Sequence, residues 1–149
     1  MKSLQINIPN GFEVDKFDTK TGEITFKEKP KCIMQRIKTI EDVLKYHNIE
    51  KDDFEADYKG LPEDVKAYRL LVLIASALNE GWTPDWNNSN EYKYQVYFTM
   101  GSSGFRCHDC DGWHAGSYVG SRLCFKTAEL AKYASTQFTD IYSNYFLIK

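Results

Sequence analysis

The stretch LPEDVKAYRLLVLIASALNEGW, residues 61–82, decides the fold. Apolar residues recur in it at helical spacing and cover most of the circumference of a helix. Pro62 suits the first turn of a helix, and Gly81 suits the left-handed position that ends one. Only a narrow polar line remains, formed by Lys66, Arg69, Ser76 and Glu80. Because such a helix must be covered on more than one side, we expect it to form the buried centre of the protein.

The composition predicts one folded domain over residues 1–149. Hydrophobic residues make up 42% of the chain and charged residues 27%. A chain of this length buries roughly 68% of the surface that it exposes when unfolded, so no disulfide is needed for stability. The net charge of −2 gives no overall attraction to phosphate backbones or anionic membranes. Nucleic-acid binding is therefore possible but is not indicated by charge.

The distribution of apolar residues predicts a cytosolic protein. The first residues alternate polar and apolar side chains, which is unlike a secretory signal. The longest apolar run, within residues 70–78, is too short to span a bilayer. We therefore expect no membrane association and a cytoplasmic location, where the four cysteines stay reduced.

The segments before and within the helical region predict a hairpin and a short helix. Alternating residues from Ile6 onward, with turn signals at Asn10-Gly11 and Thr21-Gly22, predict an N-terminal β-hairpin unit over residues 1–30. Such a short unit needs support from other elements. Residues 39–82 form the predicted helical segment, which starts at a capping box at Thr39.

Residues 91–149 are predicted to form an antiparallel β-meander followed by a C-terminal amphipathic helix. Period-two alternation predicts the first strand, and turn signals separate the later ones at residues 101–104, 111–112 and 116–120. Thr127 caps the last helix, whose apolar residues keep helical spacing on one side. The predicted fold class is therefore α+β: an N-terminal hairpin, a central buried helix, a meander and a C-terminal helix.

Three tryptophans are candidate binding residues, namely Trp82, Trp86 and Trp113. Trp82 and Trp86 lie in a stretch rich in turn-forming residues, where an indole could stack on a sugar or a base. The alternative interpretation is that Trp82 covers the end of the central helix and Trp86 covers the edge of the core. Packing is favoured for these two, since a tryptophan removes a large apolar area from water when it is buried.

The soft metal ligands of the chain cluster in one region and could form a zinc site. Cys107, Cys110, His114 and Cys124 would supply three thiolates and one imidazole to a tetrahedral ion. The spacing resembles a zinc knuckle, although the histidine comes early and the last cysteine late. In a regular strand, Cys107 and Cys110 would point to opposite faces and could not bind one ion. We therefore expect no cofactor, with zinc as the alternative.

No catalytic set is recognisable in the sequence. The segment Gly116–Gly120 places its serine one position away from that of a nucleophile elbow. Neither a phosphate-binding loop nor a dinucleotide fingerprint is present. A cysteine at 107 or 110 could pair with His108 or His114 as nucleophile and base, but no third residue is placed to orient such a pair. We therefore expect a protein without enzymatic activity.

Several stretches resemble an uncharacterised family of small phage and prophage proteins of Bacteroides-type gut bacteria. They are INIPNGFEVD and EITFKEK near the start, ALNEGWTPDWNNSNEYKY in the middle, and VGSRLCFKTAELAKYASTQFTDIY near the end. The resemblance covers most of the chain and implies a mobile-element origin. It implies no known activity and assigns no catalytic or binding residues.

Two functional hypotheses follow from these observations. The first is a non-enzymatic phage or mobile-element accessory protein that binds a protein partner, which the many aromatic residues favour. The second is a zinc-stabilised binding module, directed at single-stranded nucleic acid through aromatic faces.

Overall fold

A computed structural model describes residues 6–28, 32–102 and 104–148 of the chain. Helices and two antiparallel sheets are both present among these residues, so the predicted α+β class is confirmed. The chain divides into two compact units, residues 1–32 and 33–149, and the single domain over 1–149 stays a prediction. None of the helices in the described ranges is long and apolar enough to cross a membrane. The elements in chain order are β1 Phe12–Phe17, β2 Ile24–Glu28, α1 Ile33–Arg36, α2 Ile40–Tyr46, α3 Lys51–Asp57, α4 Glu63–Asn79, β3 Lys93–Gly101, β4 Gly104–Trp113, α5 Ala128–Gln137 and α6 Thr139–Phe146.

The N-terminal unit is the predicted β-hairpin. Strands β1 and β2 pair antiparallel, with a bulge between Val14 and Lys16. The turn at Thr21-Gly22 is confirmed, because Gly22 has a positive φ and its N–H donates to the Asp18 carbonyl. The predicted strand character around Ile6 is wrong, since residues 6–9 lie outside any strand.

Helix α4 is the buried centre of the second unit, as predicted. Helices α1, α2, α5 and α6 all contact it, so it is covered on more than one side. It is shorter than the predicted range of 61–82: Pro62 is the N-cap, and Glu80 and Gly81 both have positive φ at the C-terminal end. The αL conformation therefore begins at Glu80, one residue before the glycine.

The short helix α2 starts at the predicted capping box. The Thr39 hydroxyl accepts from the Asp42 N–H at 3.1 Å, and the Asp42 carboxylate accepts from the Thr39 N–H at 2.9 Å. At the other end of α2, His47 Nε2 donates to the Leu73 carbonyl of α4 at 2.9 Å. This bond ties the two helices together. Two further helices, α1 and α3, are present that the sequence patterns do not predict.

The predicted meander is reduced to the β3–β4 hairpin and a single bridge between Tyr94 and Phe125. The turn at Gly101–Gly104 is confirmed, but the predicted turn at Asp111-Gly112 is wrong, because β4 continues through both residues. The glycine leaves room for two aromatic rings. A Cβ at this position would lie 2.9 Å from the Tyr92 ring and 3.0 Å from the Tyr94 ring, so a larger residue would force these rings to shift.

The predicted C-terminal helix is two helices, α5 and α6, separated at Phe138. Phe138 leaves helical geometry, with φ −119° and ψ 31°. The Thr139 hydroxyl donates to the Ser135 carbonyl at 2.6 Å and lies 3.1 Å from the Thr136 carbonyl, which supplies a partner at the end of α5. The predicted cap at Thr127 is confirmed by its bond from the Leu130 N–H. After the break, α6 packs on α4 and β4.

A buried asparagine joins the end of α4 to the segment that carries Phe125. Asn79 Nδ2 donates to the Cys124 carbonyl at 2.8 Å, and Asn79 Oδ1 accepts from the Lys126 N–H at 3.0 Å. Phe125, between these two bonds, exchanges backbone hydrogen bonds with Tyr94. The asparagine therefore holds this segment against the first residues of β3.

Candidate functional site

An open groove of about 580 Å³ lies along β3, and we refer to it as the β3 groove. Its lining includes several consecutive residues of β3, so the groove is elongated in the direction of this strand. Aromatic and aliphatic side chains predominate, with two polar residues among them. The lining residues are Gln95, Val96, Tyr97, Phe98, Met100, Asp111, Trp113, Tyr118, Val119 and Phe146.

The groove takes its two walls from opposite faces of the hairpin. Gln95 pairs with Asp111 across the strands, so these residues share a face, and the Gln95 carboxamide bonds the Tyr118 N–H. Val96, Phe98 and Met100 alternate with them on the other face, where Phe98 contacts the Phe146 ring at 5.8 Å. The groove therefore wraps around the outer edge of β3.

Several large apolar side chains of the groove are exposed. Tyr118 is 87% exposed, Met100 57% and Tyr97 52%. Trp113 is 40% exposed and meets the Tyr118 ring edge-on, with the centroids 5.9 Å apart. Contiguous exposed apolar surface of this kind is typical of binding sites in folded proteins.

The loop that presents Tyr118 is anchored by a buried glutamine. Gln95 is 4% exposed, and its Nε2 donates to Ser117 Oγ at 2.8 Å. The same serine oxygen accepts from the Gly120 N–H at 2.7 Å. Because both ends of this short loop are bonded, the Tyr118 side chain is held at the mouth of the groove.

Trp113 is the one sequence-predicted binding residue that lies in the groove. The structure brings it together with Tyr118, Tyr97 and Met100, which the sequence analysis did not select. The alternation in β3 was the available signal for Tyr97, because it places Tyr97 opposite the buried Phe98. No comparable signal marks Tyr118, whose position depends on the Gln95–Ser117 contact.

Trp82 and Trp86 lie apart from the lining of the β3 groove, in the loop between α4 and β3. Both are half-buried, and both indole N–H groups are bonded: Trp82 Nε1 donates to Glu91 at 3.1 Å and Trp86 Nε1 to Ser121 Oγ at 2.7 Å. Lys93 is fully buried, and its Nζ lies 5.6 Å from the centroid of the Trp86 ring.

Glu91 is the acceptor that organises this tryptophan loop. Its carboxylate accepts from the Asp85 N–H at 2.8 Å and lies 3.1 Å from Lys93 Nζ. The Asp85 N–H, with smaller help from Lys93 and the Trp82 indole, lowers the pKa of the Glu91 carboxyl below its ordinary value. The loop is therefore held by an ionised glutamate.

Acidification is expected to remove the stabilisation that ionised Glu91 provides. Since the folded-state pKa lies below the ordinary value of 4.5, this contribution is present above that pH and is lost as the pH falls through the folded pKa. Urea unfolding of the wild type and of Glu91→Gln at about pH 7, 4.5 and 3 measures this pH-dependent part of the free energy of unfolding. The wild type should lose more stability on acidification than the variant, and equal losses would contradict the assignment.

A bulge in β4 places Cys107 and Cys110 on the same face of the hairpin. Cys107 pairs with Phe98 and Cys110 with Val96, two positions apart on β3, so His108 is the extra residue. The expectation that a strand would point these cysteines to opposite faces is therefore wrong. Both side chains are half-buried and pack against the hydrophobic core.

The candidate zinc ligands do not converge on one point. No three of the His, Cys, Asp and Glu residues within residues 6–28, 32–102 and 104–148 come together as a metal site. Cys110 Sγ lies 3.7 Å from the Ala128 carbonyl, Cys124 Sγ 3.5 Å from the Ser121 carbonyl, and the His114 ring packs on Tyr92. Zinc binding stays a prediction, which metal analysis of the folded protein tests.

The environments of Cys110 and Cys124 disfavour the thiolate form at neutral pH. Burial raises the pKa of Cys124 to about 11, and burial also raises the pKa of Cys110, with a further contribution from Asp109. A thiolate is the reactive form of cysteine, so these environments disfavour covalent chemistry.

The described residues form an α+β protein with an exposed aromatic groove along β3. Comparison with protein family models, with curated proteins and with solved structures finds no match.

Proposed function

We propose that this protein is a non-enzymatic accessory protein of a phage or mobile element, and that it binds a protein partner through the β3 groove. The mobile-element origin rests on the sequence resemblance. The observation that carries the binding function is the exposed aromatic cluster of Trp113, Tyr118 and Tyr97 at the groove. Aromatic residues in a concave, mostly apolar surface are enriched at protein interfaces.

The side chains of the groove are suited to contact with protein. Trp113 and Tyr118 present large faces whose conformations are limited by their mutual contact and by the anchored loop. Such rigid aromatic residues lose little conformational entropy on binding. Among the described residues that line the groove there is no lysine or arginine, and Asp111 adds a negative charge. This lining disfavours a nucleic-acid backbone.

Site-specific crosslinking in a Bacteroides-type lysogen tests the proposal. The photoreactive residue p-benzoylphenylalanine at position 118 should capture one defined protein, because Tyr118 stands at the mouth of the groove. The same residue at position 68, a tyrosine exposed on α4, is the matched control and should capture none. Trp113→Ala should abolish the capture at position 118.

Two results would contradict the proposed function. One is capture that is equal at positions 118 and 68, or that is indifferent to Trp113→Ala. The other is turnover of a small-molecule substrate that is lost in Cys107→Ser or His114→Ala.

A further inference from the structure

The outer edge of β3 is bonded at only one residue within the described part of the chain. Tyr94 donates to the Phe125 carbonyl at 3.0 Å and accepts from the Phe125 N–H at 2.8 Å. Before Phe125 the chain forms a 3₁₀ turn, Ser121–Leu123, and does not continue along β3. The edge beyond Tyr94 therefore has no partner strand among the described residues.

Alternation fixes which backbone groups point away from β4. Tyr94 directs its N–H and C=O outward to Phe125, so the same groups of Val96, Phe98 and Met100 also point outward. The extra residue of the bulge belongs to β4, which leaves the alternation of β3 undisturbed. No backbone hydrogen bond to these three residues is found on that side within the described ranges.

The β3 groove runs along this open edge. Val96, Tyr97, Phe98 and Met100 are all in its lining, with Tyr118 on one side and Phe146 on the other. An extended chain is the ligand whose own N–H and C=O groups match a strand edge. The side walls favour a single extended segment over the edge of a second folded sheet.

We infer that the partner donates an extended segment that pairs antiparallel with the outer edge of β3 as a third strand. This inference rests on the proposed function and names the form in which the partner binds. The segment lies next to β3 beyond the Tyr94–Phe125 bridge, in the strand position that the protein's own chain does not fill because it turns away at Ser121–Leu123.

The two walls specify the side chains of the segment. Successive residues of a strand point to opposite faces, so alternate residues meet different walls. One wall, Met100 and Phe146, is apolar. The other combines Trp113 and Tyr118 with Asp111, which is exposed and has no ion-pair partner among the described residues. The segment is therefore apolar at alternate positions, with a lysine or arginine beside Asp111.

A displayed library of random linear peptides of about 12 residues serves as the probe. Selection on the wild-type protein should enrich peptides with this pattern. Val96→Pro removes an outward N–H but no bond to β4, so it should weaken the selected peptide about tenfold or more while the hairpin persists. Val96→Ala also loses the valine side chain but keeps the N–H, so it should bind the selected peptide about tenfold or more tightly than Val96→Pro does. Asp111→Asn should weaken peptides that carry the basic residue.

Amide hydrogen exchange reports the pairing directly. In the free protein, the N–H groups of Val96 and Met100 should exchange faster than those of Gln95 and Tyr97, which bond to β4. Addition of the peptide should protect Val96 and Met100. Met100→Pro provides a second backbone variant, at an exposed position, should Val96→Pro fail to fold.

The outcomes separate this inference from the proposed function. Failure to enrich any peptide overturns strand addition, as does binding that survives both proline variants. If crosslinking at position 118 still captures its partner in Val96→Pro, the partner binds the groove without adding a strand, and the proposed function stands. If position 118 captures no partner at all, the proposed function fails as well.

Discussion

Phe125→Ala is expected to lower the free energy of unfolding by about 3–5 kcal/mol, the usual range for removing a buried aromatic ring. Phe125 is 0% exposed and belongs to the hydrophobic core. Its backbone is fixed on both sides, by Tyr94 across the bridge and by the Asn79 bonds to its two neighbours. Because the backbone cannot easily move inward, the cavity should collapse only partly, which places the cost toward the upper end of the range.

Urea unfolding measures this loss as a fall in the midpoint at an unchanged denaturant slope. Phe125→Leu retains most of the volume and should cost less than about 1.5 kcal/mol. Tyr118→Ala, at a side chain that is 87% exposed, is the control and should change stability by less than about 0.5 kcal/mol. A loss for Phe125→Ala as small as that for Tyr118→Ala would show that this segment is not part of the core.

Local patterns in the sequence predict the elements that depend on local physics. The apolar spacing of residues 61–82 identifies α4, since a helix that is apolar on most sides can only be buried. Capping at Thr39 and Thr127 is predicted for the same reason: each side chain bonds a backbone N–H three residues along the chain. These contacts require no knowledge of the rest of the fold.

The errors occur where a long-range contact overrides the local pattern. Asp111-Gly112 is typical of a turn, yet the rings of Tyr92 and Tyr94 pack over Gly112 and the strand continues. The helical spacing after Thr127 continues through Phe138, but the chain bends there as α6 packs on α4 and β4. The bulge at His108 changes the faces of the two cysteines without leaving a sequence signal that we could identify.

The candidate site is predicted only in part for the same reason. Trp113 is a candidate from the sequence because it is a large aromatic residue. The exposure of Tyr97 follows from the alternation of β3 once this strand is assigned. The open edge of β3 depends on where Phe125 leaves the strand, which is a matter of tertiary structure. Tyr118 depends on a contact between residues 22 positions apart, from Gln95 to Ser117.

Lys93→Met is expected to cost about 3–5 kcal/mol, because it removes the fully buried cation of a charge network whose anion, Glu91, is itself only 25% exposed. Lys93 is 0% exposed, and its Nζ donates to the carbonyls of Asn88 at 3.1 Å and Glu91 at 2.9 Å. The third contact of the ammonium is the Glu91 carboxylate at 3.1 Å, so its three donors are all used. Methionine keeps the length of the stem but removes the donor to the Asn88 and Glu91 carbonyls. It also removes the cation from the Glu91 carboxylate, which keeps only its bonds from the Asp85 N–H and the Trp82 indole.

Lys51→Met is the matched control. Lys51 also pairs with a glutamate, Glu41, at 2.6 Å, but both side chains are about 60% exposed, so its loss should cost less than about 1 kcal/mol. Introducing Glu91→Gln into the wild type and into Lys93→Met tests the coupling between Lys93 and Glu91. The Glu91→Gln change should cost less in Lys93→Met than in the wild type, because the Glu91 carboxylate has already lost its cation there. Equal costs for Lys93→Met and Lys51→Met would contradict the network.

Tryptophan fluorescence gives a second measurement, since Lys93 Nζ lies 5.6 Å from the centroid of the Trp86 ring. Lys93→Met should shift the emission toward that of a solvent-exposed indole, whereas Lys51→Met should leave the emission unchanged.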